Sequence, residues 1–227
     1  MHVADLVQRL AERIEMPGSL HIGRLPPERW ADTAVLEPAP GGMGVWARAC
    51  GRPLGLGWRL LSVVESLLFR KVGNSLFWRT ACFPSSNGFL NGAAVARMYG
   101  ALANNGSVEA PDGSAIRMLR QETVDELREM LADRARWLPR ESGQSSDSRV
   151  SGGFSPWWNE RLHGSNAPRC FGHNGMSGCA AYADPDAGLA LVVLKNVYDP
   201  QLAYDGPGDD VAELFAAVRA EVVEGGE

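Results

Sequence analysis

The chain has 227 residues, of which 45% are apolar and 22% charged, a composition typical of one globular domain long enough to bury a core. It holds 27 acidic and 22 basic residues, a net charge of −5, and shows no basic cluster interleaved with aromatics, which excludes a nucleic-acid-binding surface as its expected role. Twenty of the 22 basic residues are Arg, since Lys71 and Lys195 are the only lysines.

Val3, Leu6, Val7, Leu10 and Ile14 recur at helical spacing with Asp5, Gln8, Arg9 and Glu12 between them, which predicts an amphipathic helix stopped at Pro17-Gly18. No basic-apolar-cleavage pattern of a signal peptide occurs there, so a cytoplasmic location is the default expectation. Leu20-His21-Ile22 reads as a short strand ended before Pro26-Pro27, and Glu37 to Gly57 as an irregular Gly/Pro-rich crossing loop. Trp58 to Val72 is expected to be a buried helix. Its apolar stretch is too short to span a bilayer, and its polar face is not rich enough in Lys or Arg for a membrane-surface helix.

Asn91-Gly92 open a helix over Ala93 to Asn104, closed by Asn105-Gly106 as a glycine cap. A loop with Pro111-Asp112-Gly113 leads to a third helix over Gln121 to Arg134. Arg140 to Gly153 form a polar Ser/Gly-rich surface segment, and Phe154 to Asn159 and Arg169 to Phe171 have strand composition. A hairpin follows: its first strand begins at His173-Asn174-Gly175, Asp184-Pro185-Asp186-Ala187-Gly188 is the turn, and Leu189 to Leu194 returns as a central strand. Asp209-Asp210 start a last helix with Val211, Leu214, Phe215 and Val218 on the face that covers this sheet. Helices first, then a late hairpin closed by a helix, predict α+β layering in one domain without internal repeats. Its segments are 1–75 (helix, Gly/Pro-rich loop and helix), 76–135 (helical), 136–168 (surface loop) and 169–222 (hairpin and last helix).

The four cysteines, Cys50, Cys82, Cys170 and Cys179, show no paired spacing and demand no disulfide. Cys170 and His173 with Cys179 lack a second paired ligand element, so small buried cysteines are favoured over a metal, and no cofactor is expected. Gly175-Met176-Ser177-Gly178-Cys179 narrowly misses a Gly-x-Ser-x-Gly nucleophile elbow. Cys fills its last position, and no His follows His173, so that reading is rejected. The glycines at Gly41 to Gly44 and Gly55 to Gly57 match no phosphate-binding loop.

The run Phe171-Gly172-His173-Asn174-Gly175-Met176-Ser177-Gly178 resembles the third active-site motif of the serine β-lactamase and penicillin-binding-protein superfamily, a basic residue, a small polar residue and a glycine at the edge of the catalytic cleft. Pro84-Ser85-Ser86-Asn87-Gly88, the Ala-Arg-containing helix that ends in Asn105-Gly106, and Leu119 followed by Glu122-Thr123-Val124 are similar to successive landmarks of class C-type members. Val7 to Pro17 resembles the family's helix before a Pro-Leu-Gly-Met segment, although here the segment runs Met16-Pro17-Gly18. The resemblance implies a β-lactamase/transpeptidase-like antiparallel sheet flanked by helices, present only as the later half of the domain. It also implies that His173 contacts a substrate carboxylate or assists proton transfer, and that Asn174 and Gly175 line the substrate site. The backbone N–H of Met176 is then one oxyanion donor, a contact worth about 2.7–4 kcal/mol in the transition state.

The family's other two motifs do not occur. Leu68 and Val192 stand three positions before the two lysines, so no Ser-x-x-Lys exists. Ser85-Ser86-Asn87 alone fits the Ser/Tyr-x-Asn pattern, and its setting is that of a turn entering a helix. Two functions are therefore expected. One is a serine hydrolase of amides or esters that works through an acyl-enzyme once a nucleophile-bearing segment completes it. The other is a degenerate, non-catalytic binding or interaction domain. Either way, apolar faces left uncovered are expected to drive self-association.

Overall fold

The computed structural model describes residues 1–38, 64, 67–132, 170–175, 179–198 and 209–224. The expectations for the Gly/Pro-rich loop after residue 38, the strand at 154–159 and the loop at 199–208 lie outside the described residues.

Helix α1 (Val3–Arg13) begins where the Nδ1 of His2 accepts the Ala4 N–H at 3.2 Å, and it buries Ala4 and Ala11. The chain turns back through Glu15, which adopts positive φ, into β1 (Leu20–Ile22), as its composition predicts. A 3₁₀ turn over Pro27–Asp32 and the two-residue strand β2 (Glu37–Pro38) follow. Residues 67–73 are helical, and a short helix α2 (Leu76–Thr80) is capped by Ser75. The expectation that this helical region is buried is wrong for the part described. Val64, Leu67, Leu68, Val72, Leu76 and Phe77 are all exposed, because neither packed cluster of the core reaches that face.

Strand β3 (Gly88–Leu90) pairs antiparallel with β1, Ile22 opposite Gly88. The Ser85-Ser86-Asn87 turn ahead of it is held by Asn87, which is buried. Its Oδ1 accepts the Phe83 N–H, and its Nδ2 donates to the Trp78 and Ala81 carbonyls. Ser85 and Ser86 are exposed, so this is a structural turn, as its setting implied. Helix α3 (Gly92–Ala103) starts at Asn91, whose side chain accepts from Ala93 and Ala94. It ends in a Schellman arrangement, with the Gly106 N–H on the Ala101 carbonyl at 2.6 Å. Asn105 takes the left-handed position, and Gly106, also at positive φ, follows it.

The Pro111-Asp112-Gly113 segment, expected as a loop, is the turn of a hairpin between β4 (Ser107–Glu109) and β5 (Ala115–Arg117). These strands are too short to carry a periodic signal. Asp112 accepts the backbone N–H and the hydroxyl of Ser114, and that hydroxyl bond above all holds its carboxyl below the usual range. Helix α4 (Gln121–Ala132) buries Val124.

Among the described residues the main sheet has three antiparallel strands in the order β6 (Phe171–Asn174), β7 (Ala180–Asp184) and β8 (Leu189–Val193). β2 runs parallel to β9 (Val197–Tyr198), just past the end of β8. Two sequence expectations are corrected here. His173 does not open the strand that pairs with Leu189 to Leu194. It lies near the end of the extra strand β6, opposite Ala181. Of the three described strands the central one is β7, largely buried, whereas every residue of β8 keeps some exposure. An apolar run shows that a strand is covered on both faces, but it does not say whether both edges are paired.

The two faces are indeed covered. Ala181, Ala183, Ala190 and Val192 pack with α3 residues and Phe171 in one cluster. Cys170, Ala180 and Tyr182, flanked by Leu191 and Val193, pack under Val211 and Phe215 of the last helix, α5 (Asp209–Glu224). α5 thus covers the sheet as expected, although Leu214 is exposed and not part of that face.

Candidate active-site edge

β6 and β7 position the residues singled out from the sequence. Side chains two apart on a strand share a face, so His173 lies on the face of Phe171, which sits in the core cluster with α3. Phe171 and Gly172 are buried, whereas His173 is exposed. The strand therefore runs out of the core and presents the imidazole at the end of the sheet. A Cβ on Gly172 would come within 2.3 Å of the Ala181 carbonyl oxygen, so only glycine lets β6 lie this close to β7. Gly175 donates its N–H to the Cys179 carbonyl at 2.7 Å, which closes the connection between the strands. Asn174 continues the ladder opposite Ala180. Met176, with the expected oxyanion donor, lies outside the described residues.

The cysteines are placed by packing. The Cys170 side chain belongs to the cluster under α5, and burial pushes its thiol from 9.0 up to about 12. His173 follows the opposite face. Cys179 accepts the Lys195 N–H on its Sγ at 3.2 Å and donates to the Lys195 carbonyl at 3.4 Å, which ties the end of β8 to the start of β7. Cys170 and His173 thus do not converge on one ion.

The sequence reading missed a buried polar pair below this edge. Asp184, fully buried, accepts the Asp186 and Ala187 N–H groups on Oδ1 at 2.9 and 3.1 Å, and Arg219 Nε on Oδ2 at 2.6 Å. The Asp184 hydrogen bond is the main cause that raises the Arg219 guanidinium pKa further. Beside them, burial strongly raises the Tyr182 phenol. Asp184-Pro185-Asp186 signalled a turn, but only the fold brings Arg219 of α5 against it. A carboxylate that caps a turn and pairs with a helix locks the β7–β8 connection to α5. β7 in turn holds β6, so His173 stands on a sheet anchored from behind.

Comparisons with known proteins agree with the fold. No family model matches the chain. A curated relative, the esterase/beta-lactamase LipL of Mycobacterium tuberculosis, is 31% identical over 117 residues, which is 50% of this chain and 23% of that protein. A solved family VIII carboxylesterase superposes with a TM-score of 0.63 at 23% identity, covering 96% of this chain and 52% of its own. A penicillin-binding-protein homologue from Caulobacter crescentus gives a TM-score of 0.62 at 21% identity, again over 96% of this chain and 52% of the neighbour. The chain therefore spans about half the length of the solved structures it matches. Its α+β arrangement is that of a β-lactamase/transpeptidase-like domain in incomplete form. The chain thus shares the fold of a family VIII carboxylesterase and a penicillin-binding-protein homologue, and half of it is similar in sequence to an esterase/beta-lactamase.

Proposed function

We propose that this chain is the cleft-edge half of a serine hydrolase that cleaves a small amide or ester through an acyl-enzyme, with the nucleophile supplied by a completing segment. The observation that carries this reading is the exposed His173 at the end of a rigidly backed sheet, inside a fold whose relatives include an esterase/beta-lactamase. In this reading the imidazole, which changes charge near neutral pH, contacts the substrate carboxylate or relays a proton. Asn174 and Gly175 line the substrate, and the Met176 N–H supplies one of two oxyanion donors. The other donor and the attacking hydroxyl come from the completing segment.

The outer edge of β8 supports a place for that segment. Among the described residues β8 pairs only with β7, and residues 189–194 contain neither charge nor proline to block a further strand. Leu194, Val197 and Leu214 are exposed. Without the segment, this edge favours self-association of the isolated chain. The absence of Ser-x-x-Lys and Tyr-x-Asn from all 227 residues supports a second reading, a non-catalytic domain that keeps the cleft wall for binding.

The test is to incubate the purified chain with a chromogenic cephalosporin and with short-chain p-nitrophenyl esters. Turnover at background, with no serine labelled by a fluorophosphonate probe, is expected, because loss of the nucleophile leaves only residual catalysis. Inhibitor-sensitive turnover with one labelled serine would show that the chain carries its own nucleophile. Where an upstream reading frame encodes a Ser-x-x-Lys segment, co-expression should create activity that His173→Ala lowers. If co-expression creates none, the non-catalytic reading stands.

A further inference from the structure

Of the 16 large apolar side chains exposed among the described residues, seven fall between residues 64 and 83: Val64, Leu67, Leu68, Val72, Leu76, Phe77 and Phe83. Leu68 and Val72, four residues apart on helical backbone, share one stripe, and Leu67 lies beside it. The next turn adds Leu76 and Phe77, exposed by 57% and 61%. Phe77 and Trp78 both pack against Phe83, their ring centroids 5.7 and 5.5 Å away. Those contacts hold the aromatic end in place while leaving it open to solvent.

The charge around this surface is one-sided. In a chain with 27 acidic residues, no Asp or Glu occurs between Glu65 and Glu109, whereas Arg70, Lys71 and Arg79 all lie beside the stripe. The acid shown to approach from a neighbouring segment, Glu37, is bridged by Arg70 at 3.0 Å. Arg79 donates to the neutral Trp30 carbonyl and stands 5.8 Å from the Trp30 ring, and Lys71 is exposed. An apolar helical stripe ending in aromatics, with cations at its shoulders, is the pattern of a segment lying in a membrane interface. The sequence alone shows too few cations for an independent amphipathic helix. The fold changes this by leaving the apolar face open and neutralising the acid nearby.

We propose that the surface formed by Leu67 to Phe83 docks on an anionic lipid bilayer, with Leu68, Val72, Leu76 and Phe77 entering the headgroup boundary and Lys71 and Arg79 facing lipid phosphates. No described helix is long and apolar enough to cross a membrane, so the contact is peripheral. The proposal is independent of the hydrolase reading, and its test has no activity readout.

The full-length chain is floated with phosphatidylcholine vesicles, with and without phosphatidylglycerol. It should partition onto the anionic vesicles. Lys71→Gln should weaken this about fivefold, and high salt should weaken it too. Leu68→Glu and Phe77→Glu should reduce it by about tenfold or more, because each puts a charge where an apolar group was buried. Both positions are exposed in the folded chain, so unchanged melting curves separate lost docking from lost folding. Three results would overturn the proposal: no partitioning onto either vesicle, equal partitioning onto neutral and anionic vesicles, or a dimer without vesicle binding that the same two substitutions dissociate. The last would assign the patch to a second copy of the chain.

Discussion

Replacing Asp184 by Ala tests whether the sheet that carries His173 is locked from behind. The substitution removes two backbone hydrogen bonds at the β7–β8 turn and the 2.6 Å bond from Arg219, all to a carboxylate with no exposed surface. Hydrogen bonds to a charged group are worth about 1.5–3 kcal/mol each. The Arg219 side chain is 23% exposed and can turn toward water once its partner is gone, so the lower end applies to it. With the lower end taken for all three, the expected loss is about 4–5 kcal/mol, a drop in Tm of roughly 10–15 °C for a chain of this size. Asp184→Asn keeps the Oδ1 turn bonds and should cost about half as much. Arg219→Met leaves the carboxylate buried with only two amide partners and should cost about 2 kcal/mol or more. Urea and thermal melts followed by circular dichroism measure all three, and the double variant gives the coupling. A loss below about 1 kcal/mol for Asp184→Ala, or additive single and double variants, would refute the lock.

Gly172→Ala would place a Cβ 2.3 Å from the Ala181 carbonyl, so β6 must part from β7. Hydrogen exchange should show faster exchange of the amides around His173, and unchanged protection would count against the close approach. Asn87→Ala removes three buried side-chain hydrogen bonds and should cost about 2–4 kcal/mol in a urea melt, whereas Ser85→Ala and Ser86→Ala, at exposed positions, should be nearly neutral. Burial raises the Cys170 thiol from 9.0 and the Tyr99 phenol from 10.0, each to about 12, and raises Tyr182 further. The folded state then holds protons that the unfolded chain has released, so stability is full below pH 9 and falls as pH climbs toward 12. Cys170→Ala should move the onset of that fall up to the tyrosine range near 10.0, and melts across the alkaline range should show the shift.

Much of the local architecture was legible in the residues themselves. The spacing of Val3 to Ile14, the cap at Asn91, the turn at Asp184 to Gly188 and the acidic start of α5 each state a short-range preference, and each is met. The His173-Asn174-Gly175 signature and the Pro84 to Gly88 turn pointed to the family because such motifs are local too. Tertiary packing decided what depends on partners far along the chain. Leu189 to Leu194 reads as a central strand, since α3 and α5 cover both of its faces, yet among the described residues it pairs on one edge alone, because an edge is paired by another strand and not by its own composition. The helix ending at Val72 reads as buried, but Val64, Leu67, Leu68 and Val72 stand exposed, since apolar periodicity marks a face without naming what covers it. Asp184 reads as a turn residue and becomes the anchor of a helix only when Arg219, 35 positions later, folds against it.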